Sequence, residues 1–291
     1  MTRAKVCSLF EDAASAAAGS PRLVSLPPVM LARDGSPILL YRGTQTKSVS
    51  RSVRASLSFS ASPAVAAVWS AVPPESWFGF VSGDPSLAAS STVHAAYLEL
   101  RRPVVWDENH VSVGDVLRLL RYGEGGGIAH GEALKIYNYL INRESGKARG
   151  GEFRYEVLDE DGDPEEEELD LSGRSRLRDA RDLFDAWQDP DVADRLVADA
   201  YVFADAPAFV RAARSLGYDG VVHDDPFEAG PPAAESLLGR RLTPRDGVDR
   251  RRDVSGEMVP CHTTWRAFSA SSVVEVASAP TLDLLRAGCL A

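Results

Sequence analysis

Cysteine is scarce. Cys7, Cys261 and Cys289 are odd in number, scattered, and without the spacing of a zinc motif. That excludes a disulfide framework and points to a reducing compartment. Long apolar runs are also missing: none approaches the roughly 20 residues that cross a bilayer. The N-terminus lacks the hydrophobic core of a Sec signal. The expected location is therefore the cytoplasm, or a host cell reached by a signal-less route. Positive charge is not in excess, with 32 Lys and Arg against 42 Asp and Glu and a formal net charge of -10. No global basic field recruits nucleic acid. Internal repeats and strong linkers are absent, so the economical reading is one domain carrying an insertion.

What is present suffices for a substantial core: 291 residues, 44% of them apolar. Residues 4–18 have helix-forming composition, stopped by Gly19, Ser20 and Pro21, and 1–36 reads as an N-terminal helical segment. Ile38-Leu39-Leu40-Tyr41 reads as a buried strand with Arg42 at its end, and Leu57-Ser58-Phe59-Ser60 as a second. Ser62 then caps a helix with Pro63 in its first turn. Residues 93–100 form the clearest strand, with Val104 and Val105 continuing it as an edge. From 112 to 142 the apolar spacing is helical, interrupted by Gly123 and Gly125-Gly126-Gly127.

The run 159–170 is so acidic that it reads as an exposed loop, and it lacks the ordered glycine and the terminal glutamate of an EF-hand loop. Helix is expected again over 176–197. Tyr201-Val202-Phe203 reads as a strand, and Asp205 as the cap of a helix closed by Gly217. Another strand, 218–223, runs into Asp224 and Asp225. The segment 227–257 reads as irregular, followed by two strands at 263–268 and 272–276.

Several motifs invite chemistry. Arg42 followed by Gly43-Thr44 suits a phosphate, because guanidinium contacts are bidentate and glycine admits a ligand to the backbone. Ser58 and Ser60, two apart on a strand, share a face. Gly123-Glu124-Gly125-Gly126-Gly127 lacks the Lys-Ser/Thr of a P-loop and reads as a hinge. His223, Asp224 and Asp225 read as a polar strand-end turn rather than an acid/base pair or metal site, and no metal is expected. The cluster Arg240, Arg241, Arg245 and 250–252 reads as a solvated loop. Trp69, Trp77, Phe78 and Phe80 fill core or cleft positions.

Taken in order, Tyr41-Arg42-Gly43-Thr44, Ser58-Phe59-Ser60 heading a helix, a long strand, Gly217-Tyr218-Asp219-Gly220, and Trp265-Arg266-Ala267-Phe268 resemble the ADP-ribosyltransferase family. The likeness is to its phage and polyvalent-protein branches and covers roughly 38–105 and 200–276. It implies an α+β fold: a split antiparallel β core over 37–280, with helices and the acidic run inserted at 106–200. It also implies transfer of ADP-ribose from NAD to a macromolecular acceptor, protein by default, as in a bacterial or phage effector or toxin. Under this resemblance Arg42, Gly43 and Thr44 would meet the nucleotide, Ser58 and Ser60 the ribose, and Phe59 or Trp77 would stack on nicotinamide.

Family members place a glutamate on or just before the late strand, where it stabilises the oxocarbenium-like cation of N-glycosidic cleavage. Here Thr264 stands at that position with His262 on the same face, and Glu257 on the incoming loop is the nearest preceding acid. Glu257 is the candidate catalytic carboxylate, with His262 and Thr264 as ribose-contacting groups. Two alternatives stay open: a catalytically inert binding module of the same fold, and an NAD glycohydrolase.

Overall fold

A computed structural model describes residues 37–45, 48–49, 56–72, 85–106, 108–120, 152–158, 164–170, 197–227, 230–252 and 258–287. Its strands are β1 (Leu40–Thr44), β2 (Leu57–Ser60), β3 (Thr92–Leu98), β4 (Pro103–Val105), β5 (His110–Ser112), β6 (Glu152–Leu158), β7 (Pro164–Asp170), β8 (Val197–Asp199), β9 (Gly220–Pro226), β10 (Val248–Arg252), β11 (Met258–Ala267) and β12 (Val273–Pro280). Its helices are α1 (Pro63–Ser70), α2 (Pro85–Ser90), α3 (Val113–Leu119), α4 (Ala200–Asp205), α5 (Pro207–Ser215), α6 (Gly230–Leu238) and α7 (Thr281–Ala287).

Eight strands form one sheet in the order β12-β3-β1-β2-β11-β9-β4, with β10 added on β11. Every pairing in it is antiparallel except β4 with β9. The fold is therefore α+β, built on a mostly antiparallel sheet with helices packed against it.

Local chemistry explains the anchoring of α1. The Ser62 hydroxyl accepts from Val65 N at 3.3 Å, and Pro63 opens the helix where its missing N–H costs nothing. The helix is almost wholly alanine and valine on its buried positions and lies directly on β1. At Gly43 a Cβ would sit 1.9 Å from the Ala66 carbonyl oxygen, so only glycine permits this approach. Ala64, Ala66 and Ala67 then pack with Val93, Ala95 and Leu284.

The Gly217-to-Gly220 segment is equally structural. Gly217, at φ +87°, ends the turn after α5. Asp219 accepts from the backbone N–H groups of Arg101 (2.6 Å) and Arg102 (3.1 Å), tying the start of β9 to the approach to β4. A Cβ on Gly220 would meet the Arg266 carbonyl oxygen at 2.4 Å. Beyond this corner α4 and α5 bury Phe203 and Phe209 against Val104, Val221 and Phe268.

Several expectations are overturned. Tyr201-Val202-Phe203 lies in α4, not a strand: all six residues of that short helix are buried, and a fully buried helix shows the same unbroken apolar run as a strand. Asp205 is the last residue of α4 rather than a cap; Ala206 caps α5, and the Asp205 carboxylate turns into the core. The described part of 227–257 is not irregular throughout, since it contains α6 and β10. The acidic run is a strand at 164–170, paired with β6 in register from Glu152↔Asp170 to Leu158↔Pro164. Its signal was in the partner, where Phe153, Tyr155 and Val157 alternate. Val104 and Val105 belong to a separate edge strand parallel to β9. Arg42 lies in the middle of β1, not at its end. The expected N-terminal helix, the 123–127 hinge, the helices at 121–142 and 176–196, and Trp77, Phe78 and Phe80 lie outside the described residues.

Candidate functional site at the centre of the sheet

The three strands carrying the singled-out motifs are consecutive neighbours. Tyr41 pairs with Ser60, Ser60 with Thr264, and Ser58 with Arg266. On the far side of β11, Thr264 pairs with His223 and His262 with Asp225. Because cross-strand partners share a face and successive residues alternate, this register sorts the side chains into two groups. Tyr41, Ser58, Ser60, His223, Asp225, His262, Thr264 and Arg266 face α1 and α4. Arg42, Thr44, Phe59, His94, Asp224, Thr263 and Trp265 face the other way. The corner read from sequence is therefore divided: Arg42 and the two serine hydroxyls are on opposite faces.

Arg42 still touches β2. Its Nη1 donates to the Ser58 carbonyl at 3.0 Å, and its guanidinium lies 5.8 Å from the centroid of the Phe59 ring. The Ser60 hydroxyl accepts from Ser62 N at 3.2 Å, which shapes the turn into α1. The backbone at Gly43 is covered by α1, so the room it leaves is filled from within the protein. His262 is buried on the α1 side, where Trp69 Nε1 donates to its Nε2 at 3.3 Å and Phe227 packs edge-on at 5.3 Å. Thr264 is buried too, and its hydroxyl donates to Asp225 at 3.3 Å. Glu257, immediately before β11, lies outside the described residues.

Under α4, Arg266 is 1% exposed and is held from four sides. Its Nη1 pairs with Asp205 and reaches the Ser56 hydroxyl at 3.4 Å; its Nη2 lies 3.5 Å from an Asp225 carboxylate oxygen. Its Nε donates to His223 Nε2 at 2.9 Å. Arginine and tryptophan side chains can only donate, so both buried histidines must present a bare Nε2 and carry their proton on Nδ1. His223 Nδ1 accordingly donates to the Asp224 carbonyl at 2.8 Å. Burial first, and the Arg266 charge second, push the His223 pKa down to about 4. Burial likewise lowers that of His262.

Sequence reasoning missed the polar relay on the opposite face. His94 pairs in register with Arg42 on the adjacent strand and is 1% exposed. Its Nδ1 is 2.6 Å from Glu275 on β12 and its Nε2 3.0 Å from the Thr44 hydroxyl. Glu275 is half exposed, so a carboxylate at the surface connects through one imidazole to a hydroxyl beside Arg42. Three separate strands supply these groups, and His94 and Glu275, each flanked by apolar neighbours, were the available signal. A half-buried guanidinium with this relay beside it can hold an anion and orient a hydroxyl.

His223, Asp224 and Asp225 do not act as one cluster, because Asp224 points to the face opposite the other two. Among the described residues, no three His, Cys, Asp or Glu side chains converge on a metal-sized site. Cys261 is buried, and burial pushes its thiol up to about 12, far from a reactive thiolate. Comparison with known proteins finds no match to a family model, a curated protein or a solved structure.

Proposed function

We propose that the Arg42 side of the sheet binds NAD and that the protein transfers ADP-ribose from it to a macromolecular acceptor, with protein as the default. One observation carries the reading. The Tyr-Arg-Gly-Thr, Ser-Phe-Ser and Trp-Arg-Ala-Phe segments, the last more than 200 residues along the chain from the first, are the adjacent strands β1, β2 and β11. Such neighbours are what one nucleotide site drawing on all three motifs requires.

In this reading the sheet divides the work. Arg42, fixed by the Ser58 carbonyl and the Phe59 ring, meets the nucleotide's phosphates, and Thr44 lies two residues further along the same face. Ser58, Ser60, His262 and Thr264 act from behind, holding β2 and β11 in register under α1. Glu257 directly precedes β11 and supplies the carboxylate that offsets positive charge on the ribose as nicotinamide leaves. An inert nucleotide-binding module of the same fold is the second reading. It is favoured by Thr264, whose hydroxyl is engaged by Asp225 at the position of the expected glutamate.

Labelled NAD incubated with the protein and cell lysate separates the outcomes. Labelled macromolecule supports transfer. Free ADP-ribose without labelled product indicates hydrolysis, and intact NAD removes both enzymatic readings. Arg42→Ala is expected to abolish labelling, and Glu257→Gln to lower the turnover rate at least 100-fold while NAD still binds. Full activity in Glu257→Gln would remove that residue from the chemistry.

A further inference from the structure

In a chain of net charge -10, Arg250, Arg251 and Arg252 are consecutive and exposed on β10, with exposed Arg245 in the turn before them. The buried Val248 anchors the strand, whose described partner is β11 alone, from Val248↔His262 to Arg252↔Met258. On the other side of β11, the register with β9 ends at Cys261↔Pro226, and a last backbone bond runs from Phe227 N to the Pro260 carbonyl at 2.7 Å. The last two β10–β11 pairs, Arg251↔Val259 and Arg252↔Met258, therefore extend past the sheet as a two-stranded ribbon. Among the described residues no strand lies on the outer edge of β10.

Alternation puts arginines on both faces of the ribbon. Arg251 is on the face of Asp224, whose carboxylate is 3.3 Å from its Nε, while Arg250 and Arg252 are on the other. Exposed Met258 adds an apolar contact at the tip. Charged side chains on an edge strand ordinarily reject other strands. Three arginines reject neutral and basic ones selectively, since an acidic strand would bring its carboxylates alternately to both faces. Each would meet a guanidinium while the backbones pair.

We propose that β10 is a docking edge for an extended, acidic polypeptide segment that adds to the sheet as a further strand. Nucleic acid fits less well: the acidic remainder of the protein opposes a long phosphate backbone, and a duplex offers no partner for edge amides and carbonyls. The inference is independent of the nucleotide reading, because it needs neither Arg42 nor Glu257.

The test is fluorescence anisotropy of a labelled decaglutamate peptide titrated with the full chain at low salt. Saturable binding is expected, weakening as salt rises. Arg250→Glu/Arg252→Glu should weaken it at least tenfold and create binding to decalysine, with circular dichroism confirming that the variant is folded. A decaglutamate peptide N-methylated at alternate residues keeps its charge but loses edge donors, and should also bind at least tenfold more weakly. No binding by the wild type, or equal binding by the charge-reversed variant, overturns the proposal. Equal affinity of the methylated peptide overturns strand addition, and tighter binding of duplex DNA through the same arginines overturns the choice of partner.

Discussion

Arg266 is the residue on which the interior most depends. It is paired with Asp205, approached by Asp225 and bonded to His223 and Ser56, all buried except Asp225, whose side chain is 14% exposed. Removing one partner from such a group leaves the others charged and unsolvated, which costs about 3–5 kcal/mol. Arg266→Met should therefore lower the urea unfolding midpoint sharply. Asp205→Asn added to it should recover part of the loss by removing one stranded carboxylate. A single variant as stable as wild type would show that the cluster is not a stabilising unit.

His223 gives a prediction with a sign. Its folded pKa of about 4 lies below the unfolded value of about 6.5, so the folded state resists taking up the proton. The stability it contributes is complete above about pH 6.5 and is lost as pH falls toward 4, about 3 kcal/mol over that window. His262, also lowered by burial, acts in the same direction. Urea midpoints measured between pH 7.5 and 4.5 should fall with this slope. His223→Gln, whose amide oxygen can still accept from Arg266, should flatten it.

At the scale of elements, α1 and β1 are fitted to each other. Gly43→Ala would drive a methyl into the Ala66 carbonyl, and backbone on both sides leaves little to yield. A loss of about 1–3 kcal/mol is expected by thermal unfolding, the range for an overpacked core. Ser62→Ala removes the cap of the same helix and should cost about 1 kcal/mol. Cap and helix were legible because Ser62-Pro63 is a local signal. The closeness of Gly43 to Ala66 is not local, so by sequence alone Gly43 reads as room for a ligand. Element type failed where environment overrode pattern, as in α4.

Across the whole molecule, the sheet sets a gradient of protection. β1, β2 and the C-terminal half of β11 have hydrogen-bonded strands on both sides, whereas the β10 ribbon ends in exposed residues. Native-state hydrogen exchange should be slowest at residues 41–43 and 264–266, and faster by orders of magnitude at 250–252. Uniform exchange along β11 would contradict this ordering.

By itself the sequence determined what local chemistry can write: an α+β composition, the cap of α1, the stop at Gly217, and the strands at β1, β2, β3, β11 and β12. Tertiary structure decided which of those groups meet. The two-residue period of a strand says that Ser58 and Ser60 share a face, but only the register of β1 against β2 puts Arg42 on the other. The relay from Glu275 through His94 to Thr44, and the ion cluster around Arg266, join residues between 41 and 210 positions apart. No spacing rule links residues so distant, because their proximity comes from strand order and burial rather than from neighbouring dihedrals.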